Sequence, residues 1–469
     1  MDENVMRVLQ MLQDGKISAQ EAETLIAALR GEKAAPEQKK EPEQDEADKN
    51  GFFFGFDTSK VKGIDLDDLG ERISRAVAKV QPEKILRRVQ TQIRTASRSG
   101  ASWSASVTAR VRTWTDGEDV RPTRPADSIE QIDEHVQETH LDGGALVMVE
   151  NPLGDVIVTA GDSDTAVITA KKHVWGQNAE LLKENVDQVE IAVHGTDSRL
   201  DIKVSAPDLY RAGTVDLELR VPASVQARVS TRFGRCEIRG VEGRAEAVST
   251  AGEVILQELG ADARCESASG KISVSTVAGA ATIASQSGDI EVRGVLRGLS
   301  ANSASGDVTA EDIEGGRVEC KSVSGDVRAS RLGLENPLDI TVESISGAVN
   351  VTEASGNIGL KAVSGDVEAE QLVATRLQAQ TVSGDVKVGM KEAFHGAMQL
   401  NTVSGDVTLK LPEGTNARVS LASTSGELHC EHEASDVTSC ETLWTGQIGT
   451  GAGTINVQTI SGDVRIQRA

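Results

Sequence analysis

Small and aliphatic residues return on a fixed beat between Arg232 and Val308. Gly234, Gly252, Gly270, Gly288 and Gly306 stand 18 residues apart, and a looser spacing continues through Gly325, Gly347, Gly365, Gly384, Gly405, Gly426 and Gly462. Two places after the glycine stands an aliphatic residue almost without exception, as in Val254, Ile272, Val308 and Val407. Five before it stands an apolar residue and three before it usually a Ser or Thr, as in Ile283 with Ser285 and Leu400 with Thr402. Alternation of this kind is the period of a half-buried strand. The glycine and the residue after it, most often Asp, interrupt two such arms. Both arms therefore direct their apolar residues to one side of a sharp turn. Gly supplies the positive φ, and Asp can bond nearby amides. A second bend is expected midway, at Gly243, Gly260, Gly279, Gly298 and Gly315. Val323, Val363, Val382 and Val403, two before their glycines, face outward on this reading and have no role in it.

A short unit copied many times is the mark of a repeat architecture. An antiparallel meander and a β-solenoid both accommodate two strands and two turns per copy. The solenoid is the expected one, because a meander of so many strands leaves an apolar face wet, whereas coils enclose their own narrow core. The predicted fold class is mainly β: a repeat β-solenoid (β-helix-like) over residues 141–469, joined to a small α-helical N-terminal hairpin and a basic helical segment. Aromatic residues make up 2% of the chain, which suits a thin interior. About a dozen coils at roughly 4.8 Å each predict a rod on the order of 60 Å.

Upstream the period changes to that of helices. Val5, Val8, Leu9 and Leu12 share one face, Asp14-Gly15 breaks the run, and Ser18 with Glu21 forms a capping box for a second helix ending near Arg30. A hairpin of residues 1–30 is too small to stand alone securely, so it is expected to bind a protein partner or to self-associate. Residues 31–50 are charged and Pro-containing, the composition of a disordered linker. Residues 51–127 open on Phe52, Phe53, Phe54 and Phe56, then carry an amphipathic pattern with Ile85, Leu86, Val89 and Ile93 on one side and Arg87, Arg88, Arg94 and Arg98 on the other. The phenylalanines and arginines are the candidate contact residues. They fit an anionic membrane surface or a partner groove; they equally fit packing of the rings on the solenoid's end and of the arginines on its acidic surface. Between Ala166 and Val221 the strands are less regular, with a helix expected at Gln177 to Asn185, as an atypical N-terminal cap. Leu219-Arg220-Val221-Pro222 with Ala227-Arg228-Val229-Ser230 is echoed by Leu409-Lys410-Leu411-Pro412 with Ala417-Arg418-Val419-Ser420.

The net charge of −23 argues against nucleic acid as a partner. Neither a basic, apolar leader at Met1-Asp2-Glu3 nor a run of roughly 20 apolar residues is visible, so the expected location is cytoplasmic, with peripheral contact at the membrane. Of the five cysteines, Cys236, Cys265, Cys320 and Cys430 fall in inward slots and read as small core residues. Cys430 and Cys440, beside His429 and His432, lack a zinc spacing, and no metal or cofactor is expected. The aspartates after the glycines, Asp289, Asp307, Asp326, Asp366, Asp385, Asp406 and Asp463, would stack; they read as turn residues, with bridging by Ca²⁺ as the alternative. No nucleophile elbow, phosphate loop or zinc-protease helix is present, and no catalytic residue is assigned.

Two resemblances add to this. Asp14-Gly15-Lys16-Ile17-Ser18-Ala19-Gln20-Glu21-Ala22 looks like the N-terminal domain of LiaX/YvlB-type bacterial envelope-stress proteins. Val149-Glu150-Asn151-Pro152-Leu153-Gly154-Asp155-Val156 and the repeated Ser-Gly-Asp-Val resemble the bacterial β-strand-repeat family called putative adhesins, a domain of unknown function. Together they imply a non-enzymatic scaffold or binding protein at the cell envelope. An adhesin-like rod that binds glycan or protein is the alternative.

Overall fold

The computed structural model describes residues 127–205 and 212–469. The hairpin of residues 1–30, the linker, and Phe52, Phe53, Phe54, Phe56, Arg87, Arg88, Arg94 and Arg98 lie outside the described residues. What is described is a β-solenoid. Each coil supplies one strand to each of two facing sheets, and successive coils pair in parallel with a register of one repeat: Val254 opposite Ile272 opposite Ile290 opposite Val308 in one sheet, Ala263 opposite Ala281 opposite Leu299 in the other. Copies run in the same sense, which excludes the meander. The aliphatic residue two after each glycine is buried, with Val254, Ile272, Ile290, Val308, Val367 and Val407 all at 0% exposure.

The recurring sequence at the glycine corner has three physical causes, each a contact with a neighbouring coil. First, the corner glycines stack so closely that no side chain fits between them. A Cβ on Gly405 would lie 2.0 Å from the Gly384 carbonyl oxygen, and Gly405 has φ +151°. Second, the inward hydroxyl three places earlier donates to the preceding corner's carbonyl. Ser322, Ser344, Thr381 and Thr402 bond in turn to the oxygens of Gly306, Gly325, Gly365 and Gly384 at 2.9–3.1 Å. This satisfies a buried carbonyl that the turn leaves unpaired. Third, the aspartate carboxylate accepts the backbone amide of its counterpart in the next coil.

The second bend falls where expected: Gly243, Gly260, Gly279, Gly298 and Gly315 each lie in the break between the two strands of a coil. A break in the strand comes just before it: six places after the corners from Gly234 to Gly365 the backbone enters the left-handed region, at Gly240, Glu258, Thr276, Gly294, Asp312, Arg331, Glu353 and Gln371. This break in the alternation turns the following residue inward, so that Leu259, Val277, Val295, Ile313 and Leu332 fill the core. A β-branched residue such as Thr276 pays on the order of 1–2 kcal/mol for that conformation. Pairing of identical bulges in neighbouring coils holds it in place. The outward Val363, Val382 and Val403 are half-buried. They stand in register, since each of their carbonyls accepts the amide of the serine one coil on.

Both ends depart from sequence order. At the first, β1 (Ile129–His140) pairs antiparallel with β4 (Thr165–Gly176), and β4 with β7 (Gly213–Pro222). The coil of β2 (Leu146–Leu153) and β3 (Val156–Gly161) is seated between two later coils. On one side lie β6 (Arg199–Ser205) and β7; on the other lie β8 (Gln226–Phe233) and β9 (Cys236–Arg239). A helix, α1 (Ala179–Gln188), capped by the Asn178 carboxamide accepting from Leu181 N at 2.8 Å, packs against β4, and β5 (Glu190–Thr196) adds antiparallel to β6. This is the expected atypical cap, with the helix starting two residues later than its pattern suggests.

The regular body runs from β10 (Ala245–Ala251) to β24 (Ala397–Asn401) and β25 (Val407–Leu411). The chain then skips one place in the stack. The coil of β26 (Ala417–Ser425) and β27 (Leu428–Cys430) comes next, followed by a hairpin of β28 (Ser435–Ser439) and β29 (Leu443–Ile448) that extends β26. The last coil, β30 (Gly453–Ser461) and β31 (Val464–Arg468), returns to fill the vacant place. There it pairs with β24 and β25 on one side and with β26 and β27 on the other. The echoed Leu-x-x-Pro stretches are the two connections, β7 to β8 and β25 to β26, that step over a place another coil occupies.

Candidate binding surface

Charged side chains on the column's outer surface pair with one another, within a coil and between coils. On one face Glu343 lies 3.4 Å from Lys321 and 3.2 Å from Lys361; burial pushes its carboxyl up, but the two ammonium groups outweigh this and leave it below the ordinary range. Arg228 and Glu246 pair across adjacent coils. On the other face Glu237 is held between Arg235 and Arg239 at 2.8 and 2.7 Å, and Arg328 bridges Asp307 and Asp326. Beside the second bend, Arg331 holds the Asp312 carboxyl low, and Arg293, joined by Arg331, does the same for Glu311.

The aspartate column is likewise occupied. Asp307 N donates to Asp289 Oδ1 at 3.0 Å, Asp385 N to Asp366 Oδ1 at 2.8 Å, Asp406 N to Asp385 Oδ1 at 2.9 Å, and Asp463 N to Asp406 Oδ1 at 2.8 Å. One oxygen of each carboxylate thus serves the turn of the coil above, and among the described residues no cluster of three or more ligating side chains gathers. Asp385→Ala removes one such acceptor and is expected to cost about 1 kcal/mol in urea unfolding, whereas Asp385→Asn, which keeps an oxygen there, stays within about 0.5 kcal/mol. Millimolar calcium is expected to leave Tm unchanged. A calcium-dependent rise in Tm that Asp385→Asn abolishes would reverse this reading.

The cysteines divide by depth. Burial pushes the Cys236 and Cys320 thiols up to about 12, with Glu237 and Glu319 adding to it, and raises Cys265 in the same way. They stay protonated inside the column. Cys430 is only half-buried, because β27 is the last strand of its sheet among the described residues. Cys440 is exposed, and hydrogen bonding from Thr442 lowers its thiol.

A groove runs along the second bend. The repeat from Gly325 to Gly347 spans 22 residues instead of 18, and the extra length, around Gly333 to Pro337, forms a loop whose Asn336 and Pro337 line one side of a cleft. The cleft is about 660 Å³, with Asp339, Asn357 and Thr375 in its polar wall and Gly315 and Gly316 exposing backbone. The wall is ordered: Asn357 Nδ2 donates to Asp339 Oδ1 at 2.9 Å, and Thr375 Oγ1 donates to Asn357 Oδ1 at 3.0 Å. Leu296, 55% exposed, lines this cleft and also a more apolar one of about 420 Å³ toward Glu242 and Glu258. Leu334 on the lengthened bend is 50% exposed. Acidic groups and single leucines on a shallow groove fit an extended segment with basic and aliphatic side chains. Sugar rings favour aromatic faces, and among the residues lining the two clefts none is aromatic. Sequence reading missed this site because its signal is a change in repeat length, not a motif.

Comparison with known proteins follows the same lines. Residues 155–467 match the family model described as Toastrack DUF4097, and residues 3–34 match a SHOCT-like domain. No curated protein matches the chain. Among solved structures, a putative cell adhesion protein from Clostridium sporogenes is 9% identical with a TM-score of 0.15, the match covering 72% of this chain and 100% of that one. A putative adhesin from Bacteroides fragilis is 11% identical with a TM-score of 0.16, covering 74% and 99%. A putative lipid binding protein from Parabacteroides distasonis is 11% identical with a TM-score of 0.20, covering 72% and 97%. Scores this low leave all three silent on what this chain binds.

Proposed function

This chain belongs to the Toastrack DUF4097 family, and from that premise we propose that it is a non-enzymatic scaffold that binds an extended protein segment at the bacterial cell envelope. The observation that supports the proposal is the groove at the second bend, where Leu296 stands exposed beside the wall that Asp339, Asn357 and Thr375 hold in place. In this reading the column is a rigid support. The N-terminal hairpin recruits a protein partner or a second copy, in the manner of LiaX/YvlB-type envelope-stress proteins. Phe52, Phe53, Phe54 and Phe56 with Arg87, Arg88, Arg94 and Arg98 supply peripheral contact with an anionic membrane from the cytoplasmic side. The adhesin-like alternative, a rod that holds glycan or protein outside the cell, differs in needing export.

A photo-crosslinking residue at Leu296 in the full-length chain tests the groove in cells. The expected result is one crosslinked protein, lost in the Asp339→Lys variant at unchanged Tm. Crosslinks that ignore Asp339→Lys would sink the groove. The membrane contact has its own assay: the chain should sediment with phosphatidylglycerol vesicles and stop doing so when the four arginines become Glu. Recovery of the native protein only outside the cell would favour the adhesin-like rod.

A further inference from the structure

The stack does not end in a closed cap on both sides of its first coils. β1 is the outermost described strand of its sheet, twelve residues long and paired with β4 without irregularity from Ile129 opposite Gly176 to His140 opposite Thr165. From Ile132 to His140 no described strand pairs with its far edge. Alternate amides and carbonyls therefore face outward in a row, the arrangement that accepts an added strand. Of the seven large aliphatic residues exposed among those described, three lie on β1: Ile129, Ile132 and Val136 at 49%, 59% and 55%. They alternate with acid: Glu130, Asp133, Glu134 and Glu138 stand on the strand, with no Lys or Arg.

We propose that the occupant of this edge is residues 101–112 of the same chain, added to β1 as a further antiparallel strand. The stretch reads Ala-Ser-Trp-Ser-Ala-Ser-Val-Thr-Ala-Arg-Val-Arg, with apolar residues at every odd position from Ala101 to Val111, the period of a strand with one buried face. Its length equals that of β1. The 16 residues from 113 to 128 are enough for the chain to turn back on itself. Charge selects the same pairing: residues 72–112 hold ten Lys and Arg against a single Glu, whereas residues 127–469 hold 51 Asp and Glu against 28 Lys and Arg. Arg110 and Arg112 close the stretch and would meet the Glu row of β1. A second copy of β1 is the poorer occupant, because antiparallel self-pairing brings its glutamates toward one another. The consequence is that the basic stretch is anchored at this end of the column, independent of whether it also contacts a membrane.

Hydrogen exchange of the full-length chain tests this, read by mass spectrometry on peptides covering 132–140. Bonding to β4 alone protects about half of those amides. An added strand protects nearly all of them, and the outward set is expected to exchange about tenfold or more slowly than in a chain carrying Thr108→Pro and Ala109→Pro, which removes a ladder donor in either register. Peptides from 254–313 should be unaffected and report that the column is intact. Arg110→Glu with Arg112→Glu should weaken the same protection. Unprotected outward amides in the native chain, or protection that survives the proline pair, would overturn the assignment; protection that rises with protein concentration would give the edge to a second copy instead.

Discussion

Deleting Gly453–Ala469 is expected to free residues 417–448 from the column while leaving the body folded. Strand order explains why a loss at the end of the chain acts in the interior of the stack. β30 and β31 lie between β24 and β25 on one side and β26 and β27 on the other, and no hydrogen bond ladder joins β24 or β25 directly to β26 or β27. Ile455, Val457, Val464 and Ile466 are at most 1% exposed. At roughly 1.5–3 kcal/mol for each buried side chain, their removal forfeits on the order of 6–12 kcal/mol, comparable with the whole stability of an ordinary domain. The loss is local, because a stack transmits contacts only between neighbours. Limited proteolysis with mass spectrometry should show rapid cleavage within 417–448 and persistent resistance across 254–390, and a synthetic peptide of residues 453–469 should restore some resistance. Unchanged resistance across 417–448 in the deletion variant would contradict the strand order.

Gly405→Ala should be among the most damaging single substitutions in the body. The added methyl meets the Gly384 carbonyl carbon at 2.6 Å as well as its oxygen, and both belong to rigid backbone that carries the Asp385 and Thr402 bonds of the same corner. The backbone angle adds strain of its own, since a residue with Cβ rarely adopts φ near +150°. The expected loss is about 3–5 kcal/mol, seen as a fall in the urea midpoint with an early transition confined to the neighbouring coils. Gly389→Ala is the matched control. A Cβ there meets nothing closer than 3.8 Å, so its cost should stay within about 1 kcal/mol. Equal effects at the two positions would mean that the close stacking of corners is not what fixes glycine.

These two cases also mark how far the amino-acid pattern could be followed. The corner was readable because each of its residues answers a local demand repeated from coil to coil: no side chain at the glycine, an acceptor after it, an inward hydroxyl before it and an aliphatic beyond. The second bend could be placed by its glycines, but the left-handed break that precedes it could not. Glu258, Thr276, Asp312, Arg331, Glu353 and Gln371 share a left-handed backbone without sharing any chemistry, since the neighbouring coils, not the residue, impose it. The skipped places were hidden for another reason. They depend on pairings between Val156 and Leu217 and between Val407 and Val464, and a duplicated Leu-x-x-Pro stretch signals duplication without saying what lies between. β1 was passed over because its charges obscure a strand period, and the groove because no motif marks a bend that is merely longer.

The two out-of-order coils also decide how such a protein can change size. Growth by appending copies to either terminus would require unpicking a wedge already shut between its neighbours. Between Gly252 and Gly306, by contrast, a whole number of 18-residue copies could be gained or lost with the corner glycines, hydroxyls and carboxylates falling back into line. Related chains should therefore differ in reach by integral steps of about 4.8 Å taken from the middle, with both fastenings retained.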